Sequence, residues 1–118
     1  MRVIIAGPRD FVDAKELKKA IKKSKFDITQ VVSGGALGVD RMGEEWANRN
    51  GIPIVIFPAQ WAFFGKAAGH KRNKLMAEYA EALIAISIKD SPGTTNMIQT
   101  MKKEKKPVHI HYPCQRSE

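Results

Sequence analysis

Residues 30–40, QVVSGGALGVD, decide the fold: an apolar run, Gln30-Val31-Val32-Ser33, breaks at Gly34-Gly35, and an amphipathic segment opens at Val39. A strand that is apolar throughout, rather than alternating, is buried on both faces and needs covering layers above and below it. Glycines at the passage from strand to helix let the backbone turn sharply and leave amides unshielded. One such strand–loop–helix unit predicts neighbours of the same build.

They stand on either side. Upstream, Met1 to Ala6 is an apolar run closed by Gly7-Pro8, and Asp13 to Ser24 carries Ala14, Leu17, Ala20 and Ile21 at helical spacing with Asp13 as N-cap. Downstream, Val39 to Asn50 repeats the helical pattern and stops at Gly51, suited to a left-handed terminator. Pro53 to Phe57 reads as a third strand, Pro58 to Phe64 as an irregular stretch and Lys66 to Tyr79 as a third helix. Ala82 to Ile86 is a fourth strand, Gly93 to Lys105 a fourth helix, and Pro107 to Ile110 a last strand at an edge, where a leading proline is tolerated. This alternation implies right-handed crossovers. The expected architecture is α/β, a three-layer α/β/α Rossmann-like sandwich on a mainly parallel five-stranded sheet, with one domain over residues 1–112 and a flexible tail over 113–118.

Composition narrows the class. With 43% hydrophobic and 27% charged residues the chain is an ordinary globular sequence, which argues against disorder, collagen-like repeats and a disulfide scaffold. Cys114, the lone cysteine, lies in a polar tail and reads as a spare thiol. No apolar run approaches the ~18 residues that span a bilayer, and no leader-like segment opens the chain, so the expected location is cytoplasmic with no membrane partner. The formal net charge of +8 favours anionic partners, although the same charge also keeps a protein soluble. Lys15, Lys18, Lys19, Lys22, Lys23 and Lys25 mark the first helix, and Lys102, Lys103, Lys105 and Lys106 the last. Both groups occupy the polar side of an amphipathic pattern, as a solvated face does, and neither is interleaved with aromatics.

In open α/β sheets, ligands collect beyond the carboxyl ends of the strands, where helix N-termini aim amides into a crevice. Three loops are therefore the place to look. Gly7-Pro8-Arg9-Asp10-Phe11 offers close backbone approach at Gly7 and a planar guanidinium at Arg9, and reads equally well as a turn with a surface arginine. Ser33-Gly34-Gly35-Ala36-Leu37-Gly38-Val39-Asp40 has the build of a phosphate cradle, though it is neither the dinucleotide fingerprint nor the triphosphate P-loop. Ser91-Pro92-Gly93-Thr94-Thr95 again sets a glycine and hydroxyls at a helix start, where the hydroxyls either cap the helix or meet an anion. Asp40 either satisfies the helix dipole or accepts a sugar hydroxyl. Trp61, Phe63 and Phe64 stand in the irregular stretch, where a ring can stack on a base or pack under the loop. Lys66 and the pair Arg72-Asn73 complete the set of candidate binding residues.

Taken in order, Gly7-Pro8-Arg9 with Phe11, Ser33-Gly34-Gly35-Ala36 with Gly38-Val39-Asp40, Trp46-Ala47, Phe57-Pro58-Ala59 with Trp61, Gly65 to Gly69, Arg72-Asn73 with Met76, and Gly93-Thr94-Thr95 resemble the YspA/cpYpsA-like branch of the SLOG superfamily. That branch is related to the LOG cytokinin-activating phosphoribohydrolases and to the core of the DNA-processing protein DprA. The resemblance spans residues 2 to about 110. It implies a Rossmann-like fold with a site above the glycine loops, and ligands that are nucleotides or nucleotide-derived signals, including nicotinamide dinucleotide and ADP-ribose relatives. In the LOG enzymes a glutamate three residues after the loop threonine assists cleavage of the base; here Met97 holds that place, leaving Asp40 and Glu44 as candidate acids.

Three functions are thus expected in turn: a sensor or sequestering module for a nucleotide derivative, a nucleoside-phosphate N-ribohydrolase, and a DprA-like binder of single-stranded nucleic acid. A homodimer is expected from the compact size and the resemblance. No metal or cofactor is expected.

Overall fold

The computed structural model describes residues 1–88 and 91–113, apart from the side chain of Trp61. Five strands, β1 (Arg2–Ala6), β2 (Gln30–Ser33), β3 (Ile54–Ile56), β4 (Ala82–Ile86) and β5 (Val108–His111), form one sheet in the order β3-β2-β1-β4-β5. Every pairing is parallel, with Ile4 opposite Val32 on one side and Leu83 on the other. The order places β1 and β4, the central strands, on either side of the topological switch point.

The helices are α1 (Ala14–Ser24), α2 (Val39–Arg49), α3 (Trp61–Phe64), α4 (Ala68–Tyr79) and α5 (Pro92–Lys103), with a single 3-10 turn, Gly65–Ala67, between α3 and α4. Strand side chains alternate between faces. Val3, Ile5, Val31 and Ile84 therefore meet Leu17 and Ala20 of α1 and Val39 and Ala47 of α2 in one core. Ile4, Val32, Leu83 and Ala85 meet Met76 and Ala77 of α4 and Met97 and Met101 of α5 in the other. The two cores establish the three-layer α/β/α sandwich. No helix among the described residues is long and apolar enough to cross a membrane.

Local signals behave as their chemistry requires. Asp13 accepts the Lys15 amide at 3.0 Å as the N-cap of α1, and Gly51 adopts φ +65 after α2. Four details depart from the sequence reading. Residues 61–64, expected to be irregular, make a helical turn, and the chain from Gly65 to Ala67 winds as 3-10 before α4 begins. The last helix ends at Lys103, followed by Lys105 at φ +58, instead of running to residue 105. Ala14 is exposed, and α1 buries Glu16 in its place. Finally, β5 runs on to His111, whose Nε2 lies 2.8 Å from Glu16 Oε1, so that a polar pair closes the core at this end of the sheet.

The carboxyl end of α4 has an unusual terminator. Lys106, which precedes β5, sends its ammonium to the carbonyls of Ala77, Glu78 and Ala80 at 2.7, 3.0 and 2.8 Å. These are acceptors that a helix end cannot satisfy internally, and a cation also suits the negative end of its dipole. Lys106→Met keeps the stem and removes three charge-assisted bonds, so urea unfolding should show a loss of about 1–3 kcal/mol with an unchanged slope.

Candidate functional site

At the carboxyl ends of the strands, the loops after β1 and β2 and the first turn of α5 enclose a cleft of about 370 Å³. Its walls include Gly7, Pro8, Arg9, Gly34, Ala36, Asp40, Arg72, Met76 and Ser91 to Thr94. The glycine loops near residues 34 and 93 thus share one rim. Beside this cleft, across Ser91 and Pro92, lies a broader depression of about 930 Å³ with His70, Ser87, Asn96, Gln99 and Tyr112 on its walls.

The glycines of these loops do different jobs. A Cβ on Gly38 would come within 2.4 Å of the Pro8 carbonyl and the Arg9 backbone, at a backbone of φ +71. The Val39 amide donates to Pro8 O at 3.2 Å. Gly38 therefore docks the second loop onto the first. Gly7 lets Val39 approach the end of β1, since a Cβ there would stand 2.7 Å from Val39 Cγ2. Gly34 makes room for two charged groups, as its Cβ would fall 2.5 Å from Arg72 Nη1 and 2.9 Å from Asp40 Oδ2. Gly93 differs, because a Cβ there would meet nothing within 4 Å.

The amides of the second loop are largely engaged. Gly35 N donates to Ser33 Oγ at 3.1 Å, and Ala36 N donates to Asp40 Oδ2 at 3.2 Å. Asp40 occupies the acceptor place that a phosphate cradle would hold open at Ala36. It is only 7% exposed, and burial pushes its carboxyl up to about 6, against the opposing pull of the Ala36 amide and the Arg72 charge. Ser33 in turn donates to Glu44 Oε2 at 2.6 Å, which holds Glu44 behind the strand end and off the walls of the cleft.

Arg72 and Asn73 join the loops. Arg72 Nη1 donates to Gly34 O at 2.8 Å while its Nε donates to Asn73 Oδ1 at 2.9 Å. Burial lowers the Arg72 pKa from its ordinary value, and the charge of Asp40 opposes that. Asn73, nearly buried on α4, donates onward to Asn96 Oδ1 at 2.8 Å and, more weakly, to Gly93 O at 3.5 Å.

The first turn of α5 is the open donor end. Pro92 has no amide, the first backbone bond of the helix runs from Thr95 N to Ser91 O at 2.9 Å, and Ser91 makes no side-chain capping bond. The amides of Gly93 and Thr94 therefore face the cleft end of the helix without an intrahelical acceptor. Arg9 is exposed and makes no ion pair among the described residues.

Of the residues singled out in the sequence, Gly7, Arg9, Gly34, Asp40, Arg72, Ser91, Gly93 and Thr94 come together on the cleft. Ser33, Gly35, Gly38, Asn73 and Glu44 stand behind it as supports, Thr95 borders the broader depression, and Lys66 lies exposed on the 3-10 turn. The Trp61 side chain is outside the described residues, as is Cys114. Asn96 had no signal in the sequence. Its part depends on Asn73, a partner one helix away.

The profile of the family described as "YspA, cpYpsA-related SLOG family" matches residues 1–64. The chain is similar to the "Gene 61 protein" of Mycobacterium phage D29, 29% identical over 117 residues, with 91% of this chain and 93% of that protein covered. Among solved structures it resembles DNA processing protein A (DprA) from Streptococcus pneumoniae, at a TM-score of 0.70 and 19% identity over 91% of this chain and 48% of the other. The chain thus spans about half of DprA. TM1055 matches at a TM-score of 0.62 and 19% identity, covering 92% of this chain and 72% of the other. Both structural likenesses speak to the fold.

The buried Asp40 carries a folding cost that depends on pH. Its pKa is raised on folding, so the penalty is absent below pH 4, appears as pH rises toward about 6, and is complete above that. Asp40→Asn keeps an acceptor for the Ala36 amide and removes the charge. In urea unfolding the variant should gain on the wild type between pH 4 and pH 7.5, by at most about 3 kcal/mol.

Proposed function

The chain belongs to the YspA, cpYpsA-related SLOG family, and from that premise we propose that it binds a nucleotide-derived ligand, in the class of nucleoside phosphates and ADP-ribose or nicotinamide dinucleotide relatives, as a sensor or sequestering protein. One observation carries the reading: the amides of Gly93 and Thr94, which lack an intrahelical acceptor, and the guanidinium of Arg9, which has no ion pair among the described residues, border the same cleft. A helix start and a planar cation together suit a phosphate group. Asp40, whose carboxylate accepts hydrogen bonds, stands on the same cleft and suits a sugar hydroxyl rather than a second anion. The cleft volume fits a mononucleotide-sized group, and the adjoining depression across Ser91 and Pro92 offers space for a second unit.

Calorimetry against inorganic phosphate, AMP, ADP-ribose and nicotinamide dinucleotide tests this proposal. At least one nucleotide species should bind, and Arg9→Ala should weaken it about tenfold or more with Tm unchanged, since the exposed Arg9 side chain makes no ion pair among the described residues. Gly93→Ala should fold normally, because the added methyl meets no protein atom, yet bind less well. Silence across the panel would remove the proposal.

The raised pKa of Asp40 favours a second reading, an N-glycosidic hydrolase in which Asp40 donates a proton to the departing base. Turnover of nucleoside monophosphates to free base, followed by chromatography, should then fall as pH rises above about 6 and vanish in Asp40→Asn. Binding without any release of base leaves the sensor reading alone.

A further inference from the structure

The positive charge of the protein is segregated. Residues 15–25 and 102–106 together hold ten lysines and two glutamates, so these two short segments account for the whole formal excess of +8 and the rest of the chain is neutral overall. The cleft is not the origin of the charge. Lys15, Lys18, Lys19, Lys22, Lys23 and Lys25 on α1 are exposed, as are Lys102, Lys103 and Lys105 at the end of α5. Among the described residues only Lys19 has an ion-pair partner, Glu16, and only Lys106 is spent on the fold.

The topology brings these segments to one place. Both α1 and α5 pack against β4 and β5, from opposite faces of the sheet, and β5 is an edge strand. Burial lowers the His109 pKa on β5, with His111 and then Lys23 of α1 adding to it, and Glu16 of α1 touches His111 of the same strand. Both helices end where the next strand begins, so Lys22, Lys23, Lys25, Lys102, Lys103 and Lys105 gather at the amino rim of the sheet, opposite the cleft. The acids at the same rim among the described residues are Glu104, Asp27, Glu78 and Glu81, with Glu16 buried; Glu81 is held by the Arg2 amide, and the lysines of the two segments outnumber them.

We infer that the amino rim beside the β5 edge, where the ends of α1 and α5 bring lysines from the two faces of the sheet, is a docking surface for the phosphate backbone of double-stranded nucleic acid, read without regard to sequence. Two lysine groups separated by the thickness of the sheet suit the two phosphate rows that border a groove of a duplex. The lysine rows lack the interleaved aromatics of a single-strand platform. An anionic bilayer fits less well, because the apolar faces of α1 and α5 are consumed in the two cores and leave no anchor for the interface.

The test is fluorescence anisotropy with a labelled random-sequence 20-bp duplex, the matching single strand and phosphatidylserine vesicles. The duplex should bind, and its affinity should fall steeply from 50 to 200 mM salt, with a log–log slope of about −4.5 to −6.3 if about five to seven phosphates are engaged. Lys22→Glu with Lys23→Glu, and separately Lys102→Glu with Lys103→Glu, should each lower affinity at least tenfold and flatten the slope, with circular dichroism unchanged. An Arg41→Ala control, which removes an exposed cation at the start of α2 outside both lysine segments, should bind the duplex as the wild type does. Absence of duplex binding at 50 mM salt, tighter binding of the single strand or of vesicles, or insensitivity to either double variant would overturn the inference.

Discussion

A single helix turn holds the candidate site together: Arg72 and Asn73, side by side on α4, tie the loop after β2 to the first turn of α5. Those two segments belong to opposite halves of the sheet, one on each side of the switch point. Arg72 can reach the Gly34 carbonyl only because position 34 has no side chain, and its other donor is fixed by Asn73. A half-buried cation loses part of its hydration, and here a carbonyl, an amide oxygen and the nearby Asp40 charge offset that cost. The shape of the cleft follows from this clasp, with the glycine at 34 as its necessary condition.

The same constraint changes what the second glycine loop does. Its sequence has the composition of an anion cradle, yet Ser33 and Asp40 take up two of its amides, and Gly38 is spent on docking against Pro8. The open donors lie instead on α5, where the Ser91 side chain makes no capping bond and Pro92 brings no amide. The acceptor side and the donor side of the cleft are thus on different segments, which gives a bound molecule a direction.

The strands and the main helices were legible in the sequence because their signals are local: unbroken apolar runs, the three-four spacing of α1 and α2, Asp13 as a cap and Gly51 in the left-handed region. Eight cleft residues could also be named, since strand ends followed by glycine mark the rim of any such sheet. What escaped depends on distant partners. Glu16, outside the apolar positions read for the first helix, is buried because His111, 95 positions away, comes to meet it. Asn96 gains its place only through Asn73, and Lys106 reads as one more surface lysine until α4 ends beside it. The stretch from Trp61 to Ala67 carries too few residues per turn type to announce its helical winding.

The Lys106 tripod has a mechanical meaning. Its ammonium pins α4 at Ala77 to Ala80, while Arg72 and Asn73 pin the same helix about 10 Å away. A rod fastened at its middle and at its carboxyl end cannot pivot freely, so α4 behaves as a strut between the clasp and the amino rim of the sheet. Any give around the cleft then has to come from its loops, and the helix that carries the clasp serves as the fixed post against which they move.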